Sequence, residues 1–189
     1  MTTTSLFSAD DLMHGEDFNF DQHKITGWIV QEKLDGWRTF WDGSQLRMRN
    51  GDAFSCPQWF IQNLPPGLPL DGELYAGPYL LKKVQQIAGS RNPSDRWMDL
   101  KFLVFDAPTV AGGYMMRWNM ACTAIREKED IANERFVKMI PPLFTAMDVY
   151  GCLLTLKQVQ EMGGEGLVLR DPFAHYMPGR TEKLLKLKK

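Results

Sequence analysis

Cysteine is scarce and unpatterned in this chain. Cys56, Cys122 and Cys152 are far apart, form no CxxC and have no histidine at metal-ligand spacing, which excludes a disulfide framework and a structural zinc domain and reads as reduced, partly buried thiols. Histidine is equally unhelpful: His14, His23 and His175 have no partner spacing, so no catalytic role is assigned to them. No window approaches the ~18 apolar residues of a membrane span, and MTTTSLFSADDLMHG lacks a basic stretch followed by an apolar one, so no membrane contact and no secretory signal are expected. The expectation is a soluble, cytoplasmic protein. An excess of either charge is also missing: 22 Lys and Arg stand against 23 Asp and Glu, a formal net charge of -1. Bulk attraction for a polyanion is therefore excluded, and any nucleic-acid contact needs a local basic face. Repeats and low-complexity linkers are absent too, and 189 residues with 44% apolar content suit one domain with a real core rather than a disordered tail.

What charge there is lies unevenly. Residues 1–22 hold Asp10, Asp11, Glu16, Asp17 and Asp21 and no Lys or Arg, whereas the end of the chain holds Arg180, Lys183, Lys186, Lys188 and Lys189. The plain reading of such runs is solvated termini. Between them, WIVQEK and WRTFW are β-branched and aromatic, and Asp42-Gly43 and Asn50-Gly51 are hairpin turns flanking QLRMR, which predicts an antiparallel meander. CPQWFIQNL reads as a short helix stopped by Pro65-Pro66-Gly67, LPLDGELYA as strand around a turn, and YLLKKVQQIAG as a helix closed by Gly89. KFLVFDAP reads as a buried central strand, residues 117–130 and 147–162 as helices, and EGLVLRDP and EKLLKLK as strands. The pattern is α+β, with mostly antiparallel sheet and helices outside it.

One stretch resists a purely structural reading. KLDGWR places Lys33 near a tryptophan and a DG pair between sheet-like segments. The pattern KxDGxR alone is weak, expected in roughly one random chain in a thousand of this length, and DG has a turn role of its own. Four further segments follow in order: LDGELY, FLVFDAP, GGEGLVLR and LLKLKK. Together they resemble the covalent nucleotidyltransferases, the superfamily of DNA ligases, RNA ligases and mRNA capping enzymes. EKLDGxR followed by a WDG turn, PQWF, LDGELYAG and GGEGLVLR is similar to the minimal ATP-dependent DNA ligases of bacteria and their viruses. The likeness runs from about Trp28 to Lys188.

The resemblance implies the ligase and capping-enzyme fold, antiparallel sheets flanked by helices around an ATP cleft, and an enzyme that forms a lysyl-AMP on Lys33. A lysine ammonium has no lone pair, and bringing an ordinary lysine from about 10.4 to neutrality at pH 7 takes about 4.6 kcal/mol. Crowding by Lys186, Lys188 and a divalent metal supplies it. Lys186 and Lys188, two apart on a strand, are expected to share a face and meet the α-phosphate. Asp35 and Glu165, with Glu73, are the candidate ligands for Mg²⁺ or Mn²⁺, which needs few protein carboxylates. Glu73 is also expected at the ribose hydroxyls, Arg38 at the sugar end, Arg49 at a phosphate, Phe105 on the adenine face and Gln31 at the adenine edge, with Glu32 and Leu34 flanking the lysine in the same pocket.

Nicked duplex DNA is the implied partner, AMP passing from Lys33 to a 5′-phosphate that the adjacent 3′-hydroxyl then attacks, in DNA repair or replication. Arg47, Lys82, Lys83, Arg91 and Arg96 are candidates for DNA phosphates. An RNA ligase or a capping guanylyltransferase shares the motif order, and a catalytically dead nucleic-acid clamp is the reading from another class. An NAD⁺-dependent ligase needs an N-terminal module that about 27 residues before the first strand do not provide. Family members continue past the last motif into an OB-fold domain. Residues 1–189 are accordingly expected to be a monomeric nucleotidyltransferase domain without that partner, the catalytic piece of a longer enzyme in preference to a naturally shortened one.

Overall fold

The computed structural model describes residues 7–128 and 136–188. Lys189 and the last two residues of the helix expected at 117–130 lie outside the described residues.

Among the described residues the chain forms two five-stranded sheets. In the first, the spatial order is β1 (Met13–Asp17), β10 (Gly179–Leu187), β9 (Gly166–Arg170), β2 (Ile29–Lys33) and β8 (Phe144–Thr145). In the second it is β4 (Leu46–Met48), β3 (Trp37–Trp41), β5 (Leu70–Tyr75), β6 (Lys101–Asp106) and β7 (Val137–Met139). Pairing is antiparallel except β1 with β10 and β6 with β7. The helices α1 (Gln58–Ile61), α2 (Leu81–Ala88), α3 (Tyr114–Arg126) and α4 (Val149–Glu161) lie on the outer faces, as the α+β pattern requires.

Each sheet buries one face in its own core. Val30, Leu167, Leu169, Leu185 and Leu187 pack with Cys152, Leu156 and Val159 of α4. Trp41, Leu70, Leu74, Phe102 and Val104 pack with Val84 and Ile87 of α2, Ala121 and Ile125 of α3, and Phe60 and Trp97. Trp97 is fully buried and Trp37 and Trp59 are partly buried against the same core, so these rings are packing groups. The side chains that alternate with these apolar positions necessarily face the opposite way, and the two opposite faces look at each other.

Three readings change. Residues 28–33 and 37–41 do not pair in one meander: β2 joins β9 and β8, whereas β3 pairs with β4 and β5. Asp35-Gly36 is thus the crossing between sheets rather than a hairpin turn, and glycine is needed because a Cβ on Gly36 would press on the β5 backbone at Leu74. Asp71-Gly72 is no turn either. It lies inside β5 at a register shift against β6, and a Gly72 Cβ would come within 2.6 Å of the Leu103 carbonyl. Finally, the acidic N-terminal run is not simply solvated: β1 is a strand, paired parallel to the basic β10, with Asp17 Oδ1 3.3 Å from Lys186 Nζ. Segment 140–143 then ties the sheets together, the Ile140 N–H donating to the Val104 carbonyl and the Leu143 N–H to the Val30 carbonyl.

Candidate active site

The period-two alternation of strands sorts the chemistry-bearing residues onto the inner faces. From the first sheet come Gln31 and Lys33, Val168 and Arg170, and Leu184 and Lys186; from the second come Arg38, Glu73 and Phe105. They line a cleft of about 370 Å³ with His14, Glu32, Leu34, Arg49, Ile140 and Arg180. Register makes the wall continuous, since Gln31 stands opposite Val168, Val168 opposite Lys186, and Arg38 opposite Glu73.

At one end Lys33 Nζ donates to Glu165 Oε2 in an ion pair, while its side chain keeps 22% of its surface open. The contact is therefore beside the cleft and not sealed away from it. Lys188 Nζ lies 3.9 Å from the other oxygen of Glu165. Lys186 leaves the strand one step earlier and is held at Asp17. Burial pushes the Glu73 carboxyl up from 4.5 to about 7; Arg38 and Lys33 oppose the rise, and Asp71 and Glu165 add to it. Burial also raises Glu32. Among the described residues no group of three or more His, Cys, Asp or Glu is gathered as a metal site of its own.

The middle of the cleft is built on two buried carboxylates. Asp71 accepts Arg38 Nε at 2.7 Å and Nη2 at 2.6 Å, and the Tyr176 hydroxyl at 2.6 Å. Arg38 is thereby committed, with its guanidinium carbon 4.7 Å from the Phe105 ring centre. Asp106 receives Arg117 Nε at 2.7 Å and Arg170 Nη1 at 3.2 Å, and Arg170 also lies 5.1 Å from the centre of the Phe105 ring. Arg38 and Arg117, each bonded twice to its carboxylate, are rigid supports. Arg170 Nε, in a side chain only 6% exposed, has no hydrogen-bond partner among the described residues, an uncommon state for a buried donor. Gln31 is held by Ile140 and Tyr114. At the other end His14, Arg49 and Arg180 meet; burial lowers His14, and Arg49, Arg38 and Arg180 lower it further against the pull of Asp71.

A Lig E DNA ligase of known structure is 33% identical to this chain, superimposes with a TM-score of 0.85, and is matched over 94% of this chain and 68% of its own. The chain belongs to the DNA ligases. The DNA ligase of Haemophilus influenzae is 35% identical over 182 residues, 96% of this ligase chain, which spans 65% of the length of that relative. A Chlorella virus DNA ligase-adenylate shares the fold at 20% identity, with a TM-score of 0.76 over 93% of this chain and 66% of its own. No protein-family model matches the chain. The nucleotidyltransferase fold expected from the five motifs is thus the fold of this ligase.

Of the residues singled out in the ligase sequence, Gln31, Glu32, Lys33, Leu34, Arg38, Arg49, Glu73, Phe105 and Lys186 line the cleft. Glu165 joins it through Lys33, and Lys188 through Glu165. Asp35 is not among the lining residues; its charge acts on Tyr75, helping burial and Glu32 to raise that phenol. Lys186 and Lys188 have different partners, Asp17 and Glu165, because β10 ends at Leu187. Among the basic residues, Arg47 is tied to Asp42 and Lys83 to Asp99. Sequence reasoning missed His14, Ile140, Val168, Arg170 and Arg180. For Val168 and Arg170 the signal was present, since they alternate with Leu167 and Leu169 inside GLVLR; His14 and Ile140 reach the cleft through contacts distant in sequence.

Proposed function

We propose that this chain is the adenylation unit of an ATP-dependent DNA ligase: Lys33 takes AMP from ATP, passes it to the 5′-phosphate of a nick, and the neighbouring 3′-hydroxyl displaces it. The observation that carries the reading is Lys33 on the cleft wall with Glu165, Lys188, Glu73 and Lys186 around it. Attack on the α-phosphorus needs a free lone pair on Nζ, so the Glu165 contact has to be given up as the phosphates enter. The Nζ–P bond then forms, the bond from phosphorus to the pyrophosphate oxygen breaks, and the amine releases one proton to leave a phosphoramidate. Lys186 and Lys188 are placed to meet charge gathering on the phosphates. Phe105 from one sheet and Val168 from the other offer apolar surface to the two faces of the adenine. Arg49, Arg180 and His14 suit the nick phosphate.

Mg²⁺ or Mn²⁺ takes one or two protein carboxylates beside water and phosphate oxygens, and Glu73 and Glu165, close enough that one raises the other, fit that demand; a bound ion there neutralises phosphate charge. DNA as substrate is supported by the Lig E and Haemophilus influenzae relatives. The resemblance pairs this unit with an OB-fold domain, so sealing by the chain alone is expected to be slow.

Intact mass after incubation with ATP and Mg²⁺ tests the first step. One adenylyl group gained, removed by pyrophosphate and not formed by Lys33→Ala, is the expected result. Label taken from GTP in place of ATP would turn the reading towards capping, and sealing of nicked RNA but not nicked DNA towards RNA ligation.

A further inference from the structure

The loop between β5 and α2 carries a residue that its own backbone disfavours. Gly77-Pro78-Tyr79-Leu80 is a four-residue turn closed by the Leu80 N–H on the Gly77 carbonyl at 3.3 Å, with Pro78 second and a φ of 62° at Tyr79 in third place. That pattern calls for Gly or Asn at the third position, because the left-handed region crowds a Cβ. Tyr79 is the one non-glycine residue of positive φ among the described residues. Burial does not offset the strain, since Tyr79 is 79% exposed. A local rule broken without compensating burial points to a use elsewhere.

That use lies across the molecule. The Tyr79 ring and Pro78 rest on Gly163, so closely that a Cβ there would come 2.9 Å from Tyr79 Cε2 and 3.1 Å from Pro78 Cβ. Gly163 follows α4 in the half built on the first sheet, whereas Tyr79 belongs to the half built on the second. The other side of this glycine turn is backed by α4 and β2. There the Gly164 N–H donates to the Val159 carbonyl at 2.8 Å, and a Cβ on Gly164 would come 2.9 Å from Glu32 Oε1 and closer still to Val159 Cγ1. Gly163 and Gly164 are thus gripped from both halves. The next residue is Glu165, whose two oxygens face Lys33 Nζ and Lys188 Nζ, and β9 begins at Gly166, opposite Lys33.

We propose that Tyr79 is a positioning residue: its ring, aimed by the strained turn, presses Gly163 and Gly164 against α4 and so holds Glu165 at the Lys33 end of the cleft. The inference rests on the proposed chemistry of Lys33 and deepens it. Without the ring the glycine pair is backed on one side only, and glycine has the widest backbone freedom of any residue. Glu165 then loses its fixed place, and Lys33 and Lys188 lose their common partner. Tyr79 is not among the residues lining the cleft, so it acts through the turn and not on the nucleotide. The effect belongs in kcat, with KM for ATP nearly kept.

The test compares Tyr79→Asn, Tyr79→Gly and Tyr79→Phe with the wild-type chain by melting temperature, by hydrogen exchange around Gly163 and Gly164 without nucleotide, and by kcat and KM for ATP in covalent adduct formation. Asn and Gly suit the turn, so both variants are expected to melt at or above the wild-type temperature. They should nevertheless exchange faster at the glycine pair and lose about tenfold in kcat, part of the roughly hundredfold that a 1 Å misplacement can cost. Tyr79→Phe keeps the ring and should match the wild type in every readout. Unchanged exchange and kcat in the Asn and Gly variants would overturn the proposal. So would a lowered melting temperature in both, which makes the ring a packing group, or adduct formation kept while binding to nicked duplex is lost, which assigns the ring to DNA. Absence of any adduct in the wild type is a separate failure: it removes the adenylation reading, while the exchange comparison still decides whether Tyr79 holds the turn.

Discussion

Glu73 stands on the cleft face of β5 beside Lys33, where burial carries its carboxyl to about 7 with help from Asp71 and Glu165 and against Arg38 and Lys33. An acid raised above its ordinary 4.5 favours the folded state most when protonated. Its contribution is therefore full below about 4.5 and is lost as pH rises through about 7. Glu73→Gln is expected to flatten the fall of melting temperature between pH 5 and pH 8; a slope equal to that of the wild type would assign it to another group. A cation bound between Glu73 and Glu165 acts in the opposite sense by favouring the ionised pair. Glu73, Lys33, Gln31 and Phe105 were legible because each interrupts or decorates a recognisable strand in a motif. Asp71, Asp106 and Tyr114 were not read as site residues, since their importance lies in partners such as Arg38, Tyr176, Arg117 and Gln31, up to 105 positions away.

Secondary structure followed local chemistry where local chemistry was strong. The helix in YLLKKVQQIAG spans Leu81–Ala88 and stops at Gly89, and the apolar run KFLVFD is a strand between β5 and β7. The helix expected from 117 starts at Tyr114 instead, because Gly112 and Gly113 rather than the apolar pattern mark its entrance. Strand β1 escaped notice: MHGED is short and acidic and has little β preference of its own. It exists because β10 offers a partner edge, with Gly15 opposite Thr181 before the register shifts. A Cβ on Gly15 would lie 2.6 Å from the Leu184 carbonyl and 2.9 Å from Leu184 Cγ. Gly15→Val is accordingly expected to cost about 1–3 kcal/mol in urea unfolding, the range of overpacked sites, and to weaken nucleotide binding by moving Lys186 away from the cleft. Wild-type stability in this variant would mean that β1 is dispensable to the fold.

On the scale of the molecule, two sheets with separate cores meet at a cleft to which both contribute. A nucleotide bound there bridges the two halves and binds only the folded chain. ATP at about 100 times its dissociation constant should add about 2.7 kcal/mol of stability, seen as a rise in melting temperature that Lys33→Ala retains, since that variant loses the nucleophile and not the cleft. No rise at any ATP concentration would contradict the assignment of the cleft. The sequence by itself determined which side chains share a face: Gln31 with Lys33, Val168 with Arg170, Lys186 with Leu184. That follows from the two-residue repeat of a strand, a property of the local backbone. Only the tertiary structure decided which faces meet, sending β2 to β9 instead of β3, bringing β1 to β10 and laying Ile140 beneath Gln31. Strand partnership depends on burial and hydrogen bonding summed over segments far apart in the chain, and no local pattern carries that sum.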